Sequence, residues 1–227
     1  MKTHPILVFF FLAAANAFAA DATPAEEVAA AAKTLGGQAN YSWKTTVVVP
    51  ESAQFKPGPT EGKTEKEGFT YVTLSFGDNL TECAMKGDKA VITDQEGNWK
   101  LASELEGAEG PGRFLGLMVR NLKTPAVQIA DLVATAKELK KDGDVYSSEL
   151  TEDAAKKQFR FGQPQNPKGT LRFWVKDGQV SKLEVKVSAK MEFNGNEIDA
   201  SRTTTTEISN VGKTQVNVPA DAKKKLM

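Results

Sequence analysis

The stretch from Val180 to Phe193, VSKLEVKVSAKMEF, constrains the fold more than any other. From Leu183 onward every second residue is apolar (Leu183, Val185, Val187, Ala189, Met191, Phe193), with charged or small polar residues between them. Alternation with period two is the pattern of a half-buried β-strand. At ~3.3 Å per residue this strand runs about 46 Å, whereas most strands hold about five or six residues. The next segment, Glu197 to Ile208, follows an Asn194-Gly195 hairpin signal and is nearly as long. Strands of such length twist and coil, so their sheet must curve and carry an apolar inner side that needs cover.

The rest of the chain supplies more sheet and the cover. Thr23-Pro24-Ala25-Glu26 is a capping box with proline at the first helical position, and it opens an alanine-rich helix to Leu35, stopped by Gly36-Gly37. Tyr41 to Val49 reads as a strand ended by Pro50, and residues 50–67, rich in Pro, Gly and charge, as a mobile surface loop. Phe69–Phe76, Asn79–Met85 and Ala90–Thr93, separated by Gly77-Asp78 and Gly87-Asp88, form an antiparallel meander that Trp99 and Leu101 continue. Two apolar helices follow. One spans Arg113 to Leu122. The other opens at Thr124-Pro125 and runs to about Lys140 with Ile129, Leu132, Val133, Ala136 and Leu139 on one stripe. Thr151 caps a brief helix after a Val145–Ser148 strand. Thr170–Lys176 turns at Asp177-Gly178 into the long strand, and a short Gln215–Val218 strand ends at Pro219.

Composition excludes several functions. Basic and acidic residues balance at 29 each, so nothing in the charge points to nucleic acid. Lys223-Lys224-Lys225 reads as a solvated chain end. Met1 to His4 is a short basic start, Pro5 to Ala15 an apolar run too short to span a membrane comfortably, and Ala17-Phe18-Ala19 a small-x-small site. We expect a signal peptide over residues 1–19, cleaved after Ala19, and a single domain over 20–227 that is soluble in the periplasm or secreted. Cys83 is the only cysteine, so no internal disulfide forms, and it reads as a small buried hydrophobe. The only histidine is His4, which leaves the mature protein without Ser-His-Asp, Cys-His or His-rich zinc chemistry. The neighbouring carboxylates Glu104 and Glu106, or Glu152 and Asp153, read as solvated loop and helix-start charges. No catalytic residue, metal or cofactor is expected. The tripeptides Asn40-Tyr41-Ser42 and Asn79-Leu80-Thr81 match a glycosylation pattern that is common by chance, and Thr203–Thr206 reads as an ordinary β-rich face.

The expected architecture is therefore α+β, mainly β: a strongly curved antiparallel sheet forming a half-barrel, with helices over its concave side. Such a half-barrel either packs solid or encloses a dry cavity for acyl chains. Three stretches, VYSSELTEDAAKKQF from Val145, GTLRFWVKDGQVSKLEVKVSAKMEFNGNEIDASRTTTTEIS from Gly169, and SNVGKTQVNVPADAKKKL from Ser209, resemble the LolA/LppX-like exported proteins, as does the order of elements. The resemblance implies a half-barrel closed by helices, in a group that carries lipoproteins, binds lipids or senses envelope stress. Two features of that group are missing. No arginine precedes Arg113 where LolA-type carriers use one early in the meander (Lys44 lies there), and no cysteine begins the mature chain.

Two functions follow as expectations. The first is binding or carriage of an apolar ligand, a lipid or the acyl chains of a lipoprotein. The wall would be Leu183, Val185, Val187, Met191 and Phe193 with Val72 and Leu74. The lid would be Phe114, Leu117, Met118, Ile129 and Val133, hinged at Gly107, Gly110, Gly112 and Gly116. The second is an envelope protein-interaction or stress-sensor domain with a solid core, contacting a partner through its loops and sheet edge.

Overall fold

The computed structural model describes residues 22–53, 56–76, 79–105, 111–159, 162–193 and 195–227. The N-terminal apolar segment with its cleavage point, Glu106, Gly107, Gly110 and the turn residues Gly77, Asp78 and Asn194 lie outside them, as does the side chain of Phe193. In chain order the elements are α1 (Pro24–Gly36), β1 (Asn40–Val48), β2 (Thr60–Glu65), β3 (Thr70–Phe76), β4 (Asn79–Lys86), β5 (Lys89–Thr93) and β6 (Trp99–Leu101). A 3-10 turn at Ala102–Leu105 leads to α2 (Pro111–Arg120) and α3 (Pro125–Thr135). Then come β7 (Lys140–Asp142), β8 (Val145–Glu149), α4 (Glu152–Lys157), β9 (Gln165–Lys176), β10 (Gln179–Phe193), β11 (Asn196–Asp199), β12 (Arg202–Ser209) and α5 (Ala220–Leu226).

Among the described residues the strands make one open, antiparallel, 12-stranded sheet in the order β6-β5-β4-β3-β2-β1-β12-β10-β9-β8-β7, with β11 paired to β10. Directly opposed residues share a face. One row can therefore be followed across the sheet: Thr81, Leu74, Thr60, Thr45, Thr206, Leu183, Phe173 and Tyr146. This inner face carries the main core. The long strand reaches it from Leu183 to Ala189, with Leu183, Val185, Val187 and Ala189 all buried there.

The structure departs from the sequence expectations in several places. The loop over residues 50–67 contains β2, a strand whose inward residues are Thr60, Gly62 and Thr64 rather than large apolar ones. Helix α3 stops at Thr135 because Ala136 turns to extended backbone and bridges Leu150, while the Lys137 amide donates to the Glu149 carbonyl at 2.9 Å. Beyond it Lys140–Asp142 forms β7, which was not expected and pairs with β8, the strand expected over Val145–Ser148. The expected strand over Glu197–Ile208 divides at Ala200-Ser201. There Asp199 Oδ1 accepts the Ser201 amide at 2.9 Å, a local turn that competes with the ladder. Residues Gln215–Val218 alternate as expected, with Val216 and Val218 buried, but they are not paired in the sheet. They cross the outer face and continue into α5, whose Ala222 and Leu226 pack on a second core with Ala84 and Val91. The triple-lysine tail is thus part of an anchored helix and not a solvated end.

Candidate functional site

The candidate site is the inner face of the sheet and whatever lies on it. Helices α1, α2 and α3 lie over this face, and α4 packs against β9 with Ala154 and Ala155 in the same core.

Helix α1 lies on β10 and β9. It starts as its capping box requires: Thr23 Oγ1 accepts the Glu26 amide at 3.3 Å, and Glu26 Oε2 accepts the Thr23 amide at 2.8 Å. Val28, Ala31, Ala32 and Leu35, spaced i, i+3, i+4, i+7, form its buried stripe. Its outer side is clasped by the β7–β8 hairpin. Glu27 Oε2 accepts from Lys141 Nζ at 2.6 Å and also from the Tyr146 hydroxyl. The Lys141 hydrogen bond first, and the Tyr146 one second, hold the Glu27 carboxyl below its ordinary value of 4.5.

Helix α3 packs against α1. The approach is close: a Cβ on Gly36 would stand 3.4 Å from the Ala126 Cβ. The buried Tyr41 hydroxyl faces the start of α3 near Thr124 and Ala126, and burial pushes it above its ordinary pKa. Helix α2 sits on β5 and against the 3-10 turn, toward the other end of the sheet.

Between these covers runs a strip of β1, β2 and β12. Trp43 lies across it, 6% exposed, with its indole directly above Gly62. Its ring is tilted against Tyr41, with centroids 5.8 Å apart. Beyond Trp43 the strip turns polar: Thr45, Thr60, Thr204 and Thr206 occupy inward positions, and the Thr45 and Thr206 hydroxyls meet at 2.8 Å. The expected ordinary β-face of Thr203–Thr206 is thus split, with Thr204 and Thr206 inward.

The expected wall residues fall on one face. Val72, Leu74, Leu183, Val185 and Val187 are buried in the main core and Met191 is half-buried at its margin. The expected lid residues do not form one unit. Ile129 is fully buried, Met118 is buried and Val133 half-buried, while Phe114 and Leu117 are 41% and 43% exposed on α2. The cover on the long strand is α1, whose stripe carried a clear helical period in the sequence. Trp43 and Gly62 were also missed, since nothing local shows that a ring needs a glycine beneath it.

Toward the far end of β10 the apolar face outruns its cover. Ala189 is buried, Met191 half-buried, and Ile198, opposite Met191 on β11, is 42% exposed. An open cleft of about 500 Å³ adjoins this end, between Lys156, Gly162, Gln163, Pro164, Gln165 and Glu192. A second cleft of about 490 Å³ lies at the β9–β10 turn, lined by Lys176, Asp177, Gln179 and the end of β12. Among the described residues no helix is long and apolar enough to cross a membrane, and no group of three or more His, Cys, Asp or Glu is gathered to hold a metal. Burial pushes the Cys83 thiol well above its ordinary pKa, so it sits in the core as a neutral apolar group.

No protein-family model matches the chain, and no curated protein matches it by sequence. Solved structures do. The chain is similar to the lipoprotein LppX of Mycobacterium tuberculosis, at 9% identity and a TM-score of 0.49, over 86% of this chain and 98% of that one. It is similar to LprF of Mycobacterium bovis at 10% identity and a TM-score of 0.46, over 88% of this chain and 97% of that one. A LolA superfamily protein of Nitrosomonas europaea matches at 12% identity and a TM-score of 0.37, over 86% and 96%. The group that the sequence resembles is met again here, as a likeness of fold.

Proposed function

We propose that this is an exported, non-enzymatic protein of the periplasm or the secreted fraction, which binds or carries an apolar ligand: a lipid or the acyl chains of a lipoprotein. The observation that carries this reading is the apolar face of β10 running out from under α1 to half-buried Met191 and exposed Ile198, beside an open cleft. A chain entering there would slide along Val187, Val185 and Leu183 as α1 lifts. Each methylene moved out of water contributes about 0.8 kcal/mol. Of the stripe that must give way, Ala31 and Ala32 bury little area, while withdrawing Val28 and Leu35 costs about 1.5–3 kcal/mol each, which a few methylenes of the entering chain offset. The test is organic extraction of the purified protein followed by mass spectrometry, together with titration of a fluorescent fatty acid. Co-purified lipid and saturable binding are expected. A lipid-free protein that takes up no fatty acid overturns the proposal.

A second reading is supported by the way the inner face is filled. Val28, Leu35 and Ile129 are fully buried and occupy the space under the helices. On this reading the core stays solid and the protein is an envelope interaction or sensor domain, with the loop over residues 50–59 as its contact. Capture of an envelope protein that disappears when that loop is shortened is the expected result. Capture that does not depend on the loop counts against it.

A further inference from the structure

We propose that the ligand carries an uncharged, oxygen-rich head, with hydroxyl or ester groups, and that the threonines of the β1–β2–β12 strip hold this head while the acyl chain lies on β10. The inference rests on the carrier reading and names its ligand. Cross-strand pairing sets the residues side by side. Thr60 opposes Thr45, Thr45 opposes Thr206, and Thr206 opposes Leu183. One row nearer the open end, Thr204 stands between Val47 and Val185. At ~4.8 Å between neighbouring strands, Thr60, Thr45 and Thr206 span about 10 Å, the size of a glyceryl ester or one sugar ring, directly beside the apolar row of β10. Thr206 is buried, and Thr45, Thr60 and Thr204 are half-buried.

A purely apolar ligand does not account for these residues. Valine has the shape of threonine and favours strands as well, whereas a hydroxyl covered by an acyl chain loses water and gains no partner. The Thr45 and Thr206 hydroxyls meet at 2.8 Å, which uses one O–H and leaves the other to donate. Among the described residues no side-chain hydrogen bond engages the Thr60 or Thr204 hydroxyl. The strip therefore offers three donors and their lone pairs. It offers no charge. From β3 to β10 the first threonine row holds only Leu74, Thr60, Thr45, Thr206 and Leu183, and the row below it runs through Val72, Gly62, Trp43 and Ile208. A carboxylate or phosphate set there would be stripped of water with no cation to answer it. Arg202, inward in the row beyond Thr204 and opposite Val187, is already held: it donates to the Gln158 carbonyl and lies over the Phe159 ring, 5.0 Å from the centroid.

The experiment is isothermal titration of the purified protein with monolauroylglycerol, dodecyl glucoside, laurate and lauroyl-lysophosphatidylglycerol, each below its micellar concentration. Their chains are of equal length, so differences in affinity report the head. At least one uncharged amphiphile should bind about tenfold more tightly than both anions, and which one does so tells a glyceride from a glycosyl head. Thr45→Val/Thr60→Val/Thr204→Val should weaken the uncharged amphiphiles about tenfold and leave laurate unchanged. Thr203→Val/Thr205→Val, on the outward face, should change neither. Circular dichroism checks the fold, and the single variants Thr60→Val and Thr204→Val, each expected to lose about threefold, carry the test if the triple variant does not fold. Equal affinity for all the amphiphiles, preference for the anions, unchanged binding in the inward variants, or a loss shared equally by laurate overturns this proposal and leaves the carrier reading standing. Binding of none of them overturns both.

Discussion

Gly62→Ala probes how the inner face is built at its centre. An added Cβ would lie 2.1, 2.2 and 2.6 Å from Cζ2, Cε2 and Cη2 of Trp43, against a comfortable separation of about 3.5 Å. The ring has nowhere to go: it is 6% exposed, with Tyr41 beside it. Overpacking of this kind costs about 1–3 kcal/mol. Alanine in place of a strand glycine returns roughly 0.5–1 kcal/mol through the unfolded chain, so the clash wins and the net loss is about 1–2 kcal/mol. For a chain of this size that lowers the melting temperature by roughly 2–8 °C. Thermal unfolding gives the first readout. The second is Trp43 emission in a Trp99→Phe/Trp174→Phe background, which should shift to the red as the ring is forced toward water. A double-mutant cycle isolates the cause: with Trp43→Leu in place, Gly62→Ala should become neutral or stabilising. If Gly62→Ala melts at or above the parent while Trp43 is intact, the proposed packing of ring on glycine is wrong.

Three further outcomes are expected. The Glu27 carboxyl is held below 4.5 by Lys141 and Tyr146, so its contribution to stability is present above that pH and lost as pH falls through the depressed value. Glu27→Gln should therefore flatten the acid limb of the urea midpoint against pH, and an unaltered limb would show that the clasp is idle. Cys83, fully buried with its thiol pushed up by burial, should resist alkylation at mildly alkaline pH and react only after denaturation, as mass spectrometry would record. Labelling of the native protein at the rate of a free thiol would contradict this. Leu226→Ala should lower stability by about 2–3 kcal/mol in urea unfolding, because Leu226 is 3% exposed against the outer core; a surface tail would lose nothing.

The sequence made the sheet legible wherever alternation was strong. The β9–β10 hairpin, the meander from β3 to β6 and the capped starts of α1 and α4 all stand where residue pattern places them. Strand β2 was hidden because its inward positions are Thr60, Gly62 and Thr64, so it has no apolar rhythm to read. Strand β7 is wholly exposed and exists by pairing with β8 alone. Helix α5 hangs on two anchors, Ala222 and Leu226, too few to stand out from a lysine-rich tail. For the site, the inward row of β10 was readable residue by residue. Which helix lies on it was not, because periodicity says which side of a helix is apolar and nothing about which face of a distant strand receives it.

The placing of β1 has a consequence for how the chain reaches its fold. It pairs on one side with β2, close in sequence, and on the other with β12, where Ser42 meets Ser209 across 167 residues. Joining two halves of a sheet over so long a loop carries a large closure entropy, and contacts of that separation form late and slowly. Until β12 has been made and delivered, the meander and the β8–β10 array are separate pieces with open seams. A chain arranged in this way stays pliable until its last segment arrives, which fits the proposed export, where a chain is threaded through a narrow passage before it folds.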